Sequence, residues 1–555
     1  MTATDTTDLL TLLDRRMTRF SRRAALRCEH EPDAIELSYA TLRARIANRA
    51  AALESLGVSN GGRVALLCEN RPAWVIALLG ALHAGATVVP LDVKLGTGEV
   101  EVLLAHARPR LILTSDAHRE RALEIAGRLD GGVQVIAIDR DDADAAPASD
   151  GASPTRSLAR HADEPALYIY TSGTTGRPKG VTVTFGNLLH QVRAVDEAIG
   201  PQGRERFLSI LPLCHLYELI CGLLVPLTRG ATISYPPTES LLPTELTRIM
   251  KRRRITSLVG VPLLYRALAR GIEVELKRAS RLARGYVAAA GAVSARIPFH
   301  RLRRLLHRPL LGRMGGRLFQ LYSGGAPLDD QVARSFQRMG LPILQGYGLS
   351  ETSPVIATNT PCAHRLGSVG RPLPGVAVRI APRTPGESLA AGGEGEILTR
   401  GPHVMPGYLD RPDLTAQVID ADGWLHTGDL GRLDADGYLH VTGRAKDLIV
   451  LGGGKKVYPD EVEAVLSTSL GFAEVCVLGI PARQGHDEVC AVVVPAAGDT
   501  SIDAEAEIAR MLADVAAFKR PTRVVVRREP IPRTTTRKAK RAALVAWIHA
   551  LDEAA

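Results

Sequence analysis

The chain has 555 residues, with 69 Lys and Arg against 59 Asp and Glu, a formal charge of +10. That length excludes a small stapled module, and 45% hydrophobic with 23% charged residues excludes the composition of disorder. Aromatics are only 4%, so the basic run Lys251–Arg254 and the series Arg301, Arg303, Arg304, Arg308, Arg313 and Arg317 lack the interleaved rings of a base-stacking platform, and nucleic acid is not an expected partner.

The N-terminal segment mixes acids with Arg15, Arg16, Arg19, Arg22 and Arg23, and no apolar stretch follows, which argues against a secretory signal. Leu42, Ile46, Ala50 and Leu53 recur at helical spacing, and Val64–Leu67 and Thr87–Pro90 are short strand-like runs. The longest apolar stretch, Trp74 to Leu91, is broken by Gly80, His83, Gly85 and Pro90; it predicts a buried helix running into a strand, not a membrane span. This alternation predicts a largely parallel sheet covered on both faces, and a second such block runs from Phe207 to Val261. The polar stretch Asp139–Ser157 reads as a linker between the two.

From Val369 the texture changes to short strands punctuated by Gly and Pro (Val376–Ile380, Gly395–Thr399, Tyr438–Val441), which predicts a smaller β-rich subdomain over about 369–443. Alternation of helix (Glu461–Leu466) and strand (Val475–Ile480, Val489–Pro495) then returns. The expected class is α/β: a large N-terminal body of mixed, mostly parallel sheets with helices, and a smaller α/β C-terminal domain. Seven scattered cysteines without a Cys-x-x-Cys pair fit a reducing cytoplasm and offer no zinc-site spacing.

The segment Tyr170–Val181 is the most informative. It follows an apolar run (Ala166–Tyr170) and precedes a helical pattern near Asn187, so it is expected to be a strand-to-helix loop. Gly173, Gly176 and Gly180 let backbone N–H groups face an anion without Cβ obstruction, while Thr171, Ser172, Thr174 and Thr175 add hydroxyls and Lys179 a mobile positive charge. Together they describe a phosphate cradle. It is not a Walker loop, because Lys179 is flanked by Pro178 and Gly180.

This stretch resembles the phosphate-loop signature of the adenylate-forming superfamily, which includes acyl-CoA and aryl-CoA synthetases, firefly luciferase and the adenylation domains of peptide synthetases. Further family-like motifs follow in order over nearly the whole chain. Tyr322-Ser323-Gly324-Gly325-Ala326-Pro327-Leu328 resembles the adenine-pocket segment, which implies contacts from Gly324, Gly325 and Ala326. Gly346-Tyr347-Gly348-Leu349-Ser350-Glu351-Thr352 resembles the motif in which Tyr347 stacks near adenine beside Gly348, Ser350 meets the α-phosphate and Glu351 holds Mg²⁺. A carboxylate with substrate phosphates suits that hard cation. Within Trp424–Asp429, the resemblance assigns Asp429 to the ribose hydroxyls; in Gly443–Asp447 it assigns Arg444 to the ribose side and Lys446 to a hinge. Pro532–Lys538 resembles the loop carrying the adenylation lysine, here Lys538, with Lys540 ranked behind it and Arg537 standing where the family has glycine.

The implied layout is an adenylation body over 1–443, a hinge at 444–447 and a mobile lobe over 448–555, with Gly452, Gly453 and Gly454 on the CoA side. The segment Leu211-Pro212-Leu213-Cys214-His215-Leu216-Tyr217-Glu218 resembles the Leu-Pro-x-x-His motif common in fatty acyl-CoA synthetases, which implies His215 near the reacting carboxylate as a substrate-binding residue. The expected catalytic set is Lys538, Glu351, His215 and Thr171. The reaction implied is ATP-dependent activation of a carboxylic acid, with a medium- or long-chain fatty acid favoured, followed by transfer to CoA. Alternatives are a ligase that passes the adenylate to an acyl carrier protein, an aryl-CoA ligase, and a noncatalytic nucleotide- or lipid-binding protein. The arginine-rich stretch Ala295–Arg317 is expected to be an amphipathic surface helix, with contact to a membrane or to CoA phosphates weighed beside it.

Overall fold

The computed structural model describes residues 8–28, 35–139, 159–171, 178–200, 204–237, 243–297, 299–382, 389–390, 392–451, 455–469, 471–481, 487–496, 502–533 and 539–554. The chain divides into two compact units, Met1–Ala377 with Thr399–Leu425, and Val378–Leu398 with His426–Ala555. The expected linker lies, from residue 140 on, outside the described residues.

The first unit carries two sheets. In the six-stranded one the order is Gln134–Ala137, Leu111–Thr114, Arg63–Leu67, Thr87–Leu91, Pro165–Thr171, Lys179–Thr184. All neighbours are parallel except the last pair. Thr87–Leu91 and Leu111–Thr114 are buried throughout, which is why they read as continuous apolar runs: a parallel sheet is covered on both faces. The helix Pro72–His83 packs against Tyr39–Ser55, and Gly80 permits the approach, since a Cβ there would lie 2.5 Å from Arg49 Cγ. Helix Tyr39–Ser55 starts where the Ser38 hydroxyl accepts from the Thr41 N–H at 3.0 Å.

The nine-stranded sheet has the order Arg371–Pro372, Ala357–Thr358, Ile343–Tyr347, Gln320–Ser323, Ser257–Gly260, Arg206–Leu208, Thr232–Tyr235, Ala24–Cys28, Ile35–Ser38. Its central strands, from Ile343–Tyr347 to Ala24–Cys28, are all parallel. Their carboxyl ends therefore share one edge, the edge at which open α/β sheets bind ligands.

One expected element is different. Ala295–Arg317 is not one helix but two short ones, His300–Leu306 and Arg308–Arg313, preceded by Arg281–Ser294. Pro309 opens the second: without an N–H, and with its ring against the carbonyl four residues back, it cannot continue the first.

The second unit holds most of the β-rich stretch: the four-stranded sheet of Ala377–Ala381, Gly395–Arg400, Leu425–Leu433 and Leu439–Arg444. Beyond it, Phe472–Pro481, Asp487–Pro495 and Arg523–Val526 form a three-stranded sheet buried on both faces. Cys476, Leu478 and Ile480 pack with Leu544 and Ile548 on one face, while Val477 packs with Val462 and Leu466 on the other, as a period of two requires. None of the seven cysteines, all among the described residues, is in a disulfide. Among the described residues no helix is long and apolar enough to cross a membrane.

Candidate active site

The phosphate-cradle segment is a hairpin mouth, not a strand-to-helix loop. Pro165–Thr171 and Lys179–Thr184 pair antiparallel, with Thr171 opposite Lys179 at the open end. Ser172, Gly173, Thr174, Thr175 and Gly176 lie outside the described residues. Val181 and Val183 are buried, and only at Phe185 does the helix begin, capped by the Thr184 hydroxyl accepting from Asn187 N–H at 3.1 Å. The β-branched run Val181–Thr184 was the available signal for the intervening strand.

A segment that sequence reasoning did not single out ties this mouth to Glu351. Leu409 N–H donates to Gly180 O at 2.7 Å, Thr182 N–H to Gly407 O at 3.1 Å and Met405 N–H to Glu351 O at 2.9 Å. Tyr408, carried on that strap, donates its hydroxyl to Glu351 Oε1 at 2.8 Å, and Lys179 Nζ lies 5.8 Å from its ring centroid. Burial first, and the Glu351 carboxylate next, push the Tyr408 phenol far above its ordinary range, so it stays a donor. Lys179, Tyr408 and Glu351 thus form one line of polar groups, with Glu351 only half-buried.

The turn that holds Glu351 is pinned from several directions. Thr352 Oγ1 accepts from Leu349 N–H at 2.9 Å and donates to Pro354 O at 3.0 Å. The buried Gln191, on the helix that follows the hairpin, donates to Thr352 O at 3.2 Å and Val355 O at 2.8 Å. Ser350 lies in the same short turn, and Tyr347 and Gly348 come directly before it, Tyr347 pairing with Ala357. Gly324, Gly325 and Ala326 leave the neighbouring strand Gln320–Ser323, which is parallel to Ile343–Tyr347. Gly324 faces the Tyr217 ring, where a Cβ would come to 2.9 Å.

His215 sits where the two sheets of this unit meet. Asn70, just beyond the strand Arg63–Leu67, donates to Leu211 O at 2.6 Å and accepts from Leu213 N–H at 2.9 Å, fixing the chain that leads to His215. His215 Nε2 is 3.7 Å from Asp92 Oδ2, and both atoms are buried without a hydrogen bond. Burial lowers the His215 pKa and Asp92 opposes that, so the imidazole is neutral near pH 7. Cys214 lies in the same cluster, which only folding assembles.

The same segment ends on a buried carboxyl to which the sequence reading gives no role. Glu218 opens the π-helical turn Glu218–Leu224, is fully buried, and has both carboxyl oxygens without a hydrogen-bond partner. Ser209, Tyr235, Tyr322 and Ser323, all at carboxyl ends of the parallel strands, likewise hold buried hydroxyls without partners. Burial pushes the Glu218 pKa up to about 8. The folded chain then holds this proton to about pH 8, whereas an unfolded glutamate releases it near 4.5. Stability therefore falls between those two values. In Glu218→Gln the fall is expected to shrink by up to about 4 kcal/mol, measured as the difference between urea-unfolding free energies near pH 5 and near pH 8. An unchanged difference would show that Glu218 ionises normally.

In the second unit, Asp429 and Arg444 are brought together. They are ladder partners on adjacent strands, with Arg444 Nε 3.0 Å from Asp429 Oδ1. Asp447, three residues further on, pairs with Arg541 at 3.2 Å. Arg541 also reaches Asp460 at 3.0 Å and Glu463 at 2.8 Å. Lys446 is exposed in the turn Ala445–Asp447. Gly452, Gly453, Gly454 and Lys538 lie outside the described residues, though Arg533 and Ala539 are bridged at the base of the lysine's loop.

Residues 13–409 match the family model of AMP-binding enzymes, and residues 461–538 match the C-terminal domain of that family. A feruloyl-CoA synthase of Amycolatopsis sp is 34% identical, the match covering 88% of this chain and 89% of the relative. The long-chain-fatty-acid–CoA ligase FadD15 of Mycobacterium bovis is 32% identical over 78% of this chain and 73% of its own length. Among solved structures, ATP-bound MatB from Rhodopseudomonas palustris has a TM-score of 0.78 at 28% identity, covering 98% of this chain and 99% of that one. The chain belongs to the AMP-binding enzyme family, the adenylate-forming superfamily.

Proposed function

We propose that the protein is a cytoplasmic, ATP-dependent acid–thiol ligase that activates a medium- or long-chain fatty acid and transfers it to CoA. The observation that carries this reading is the alignment of Lys179, Tyr408 and Glu351 beside the hairpin mouth at Thr171. A carboxylate cannot acylate a thiol directly, because oxide would have to leave. Its oxygen instead attacks the α-phosphorus of ATP, the bond to the β-phosphate oxygen breaks, and pyrophosphate departs with that electron pair. Bringing two anions together is the main cost, and fixed positive charge and N–H dipoles offset it.

Lys179, the hydroxyls of 171–175 and Lys538 supply charge and donors to the phosphates, while Ser350 addresses the α-phosphate. Tyr408 occupies one Glu351 oxygen, leaving a half-buried carboxylate oxygen that fits a hard cation. Mg²⁺ held there would neutralise phosphate charge. Asp429 accepts from the ribose hydroxyls, with Arg444 beside it. In the second step the CoA thiol loses its proton, its sulfur attacks the acyl carbon and AMP leaves. We assign the body to 1–443, Lys446 to the hinge of a domain alternation, and Gly452–Gly454 to the CoA side.

The fatty acid is supported by the Leu-Pro-x-x-His motif at 211–215 and by the likeness to FadD15. A second reading, an acid bearing a hydroxyl such as an aryl acid, is favoured by the unpartnered Glu218 carboxyl and the hydroxyls at the strand ends, and by the likeness to a feruloyl-CoA synthase. Exchange of labelled pyrophosphate into ATP, run with saturated fatty acids and with hydroxylated aryl acids, separates the two. Exchange strongest with fatty acids, and an acyl-CoA product once CoA is added, is the expected result. Acid-dependent AMP release without a CoA thioester would move the acceptor to a carrier protein; no exchange with any acid would end the enzymatic reading.

A further inference from the structure

The positive charge of this protein is concentrated in one place. Between Leu276 and Leu328 there are 11 Lys and Arg and no Asp or Glu, while the other 502 residues carry 58 basic against 59 acidic side chains. The whole surplus comes from the helical segment around Arg281–Ser294, His300–Leu306 and Arg308–Arg313. Arg281, Arg284, Arg296 and Arg308 are all exposed.

The same segment exposes large apolar side chains. Leu282 is 87% exposed, Phe299 66% and Leu305 64%, with Tyr286, Val293 and Leu302 near one half. Leu282, Tyr286 and Val293 follow at spacings of four and seven residues along Arg281–Ser294, which puts them on one face. Ala290 and Ser294 of the same helix are buried. The helices are also tied to one another: Tyr286 Oη donates to Leu306 O at 2.7 Å, and Ser294 Oγ meets His307 Nε2 at 2.9 Å in the interior. The exposed apolar groups thus stand on braced helices that form the platform, and large apolar side chains left uncovered at this density mark a contact surface.

We propose that this platform docks on an anionic lipid bilayer, its leucines and phenylalanine entering the headgroup boundary and its arginines meeting lipid phosphates. Charge complementarity selects that occupant. Two copies apposed here would bring like charges together. A nucleic acid would satisfy the arginines but leave the leucines without an apolar partner, and the phosphates of a single CoA are too few for so many cations. A bilayer surface supplies both chemistries at once. The proposal concerns a surface apart from the residues assigned to adenylation.

The test is flotation of the full chain with vesicles of phosphatidylcholine alone and of phosphatidylcholine mixed with phosphatidylglycerol. Binding to the anionic vesicles that weakens with added salt is the expected result. Arg281→Gln combined with Arg284→Gln and Arg296→Gln should weaken partition by roughly 100-fold. Leu282→Ser combined with Phe299→Ser and Leu305→Ser should weaken it by at least about tenfold. In both, pyrophosphate exchange with a water-soluble acid should be unchanged, which keeps a failure here distinct from failure of the ligase reading. Should one set not fold, the other decides. No flotation, flotation independent of lipid charge, or wild-type flotation of a folded variant set would overturn the proposal. So would self-association or nucleic-acid retention that the variants abolish in a chain that ignores vesicles.

Discussion

Glu351→Gln is expected to lower acid-dependent pyrophosphate exchange by about 10²–10³-fold while leaving the fold intact. The amide is nearly isosteric, and its oxygen can still accept from Tyr408, whose hydroxyl lies 2.8 Å from Glu351 Oε1. The backbone of the turn is held independently through Thr352, Gln191 and the Met405 N–H. Charge is what the variant removes. A neutral amide oxygen is a weaker ligand for a hard cation, so added Mg²⁺ should recover part of the lost rate. Tyr408→Phe supplies the comparison: it frees the carboxylate oxygen but keeps its charge, and a loss of only about tenfold is expected, in line with one hydrogen bond to a charged group. Exchange rates and thermal melts of the two proteins decide the matter. A Glu351→Gln enzyme within a few-fold of wild type would remove Glu351 from the metal and phosphate site.

Gly348→Ala should be the most damaging single methyl in this region. A Cβ there would lie 1.7 Å from Pro354 O, 2.8 Å from Pro354 C and 3.0 Å from Ile356 N, all backbone atoms. Neither side can retreat cheaply, because Tyr347 pairs with Ala357 and Ile356 N–H donates to Tyr347 O at 2.8 Å. The expected cost is about 3 kcal/mol or more, with the Ser350–Glu351 turn displaced even in molecules that fold. Gly325→Ala separates crowding from backbone strain. Its φ is +83° but the nearest atom, Val261 Cγ1, is 3.9 Å away, so only about 1–2 kcal/mol should be lost. Urea unfolding of both variants measures this directly; a Gly348→Ala loss no larger than that of Gly325→Ala would mean that the Pro354 carbonyl gives way and does not set the requirement at position 348.

These two sites differ in how far they could be foreseen. Glu351 and Gly348 lie in a local motif whose residue types carry their own chemistry, whereas the pairing of Asp429 opposite Arg444 comes from the ladder. Tyr408 could not be found that way. It stands 57 positions from Glu351, in a stretch of ordinary composition, and acquires its role only because the strap at 405–409 hydrogen-bonds to both Lys179–Thr184 and Glu351. Asn70, Asp92 and Glu218 are of the same kind: common residue types made informative by burial. At 170–187 a short strand lies between a recognisable loop and a recognisable helix, and its four β-branched residues are too few to set a period of their own.

The sequence by itself determined the α/β alternation, the order of the phosphate and nucleotide motifs, and the concentration of charge between Leu276 and Leu328. All three depend on neighbours along the chain, where side-chain spacing and backbone preference act directly. Tertiary structure alone decided that the cradle is a hairpin, that Asp447 answers Arg541, that Glu218 lies unpaired in the interior, and that the apolar side chains among the arginines stay uncovered. Each of those depends on which distant segments exclude water from a group, and a carboxylate, a phenol or a leucine reads the same in a sequence whether its neighbours in space are solvent or protein.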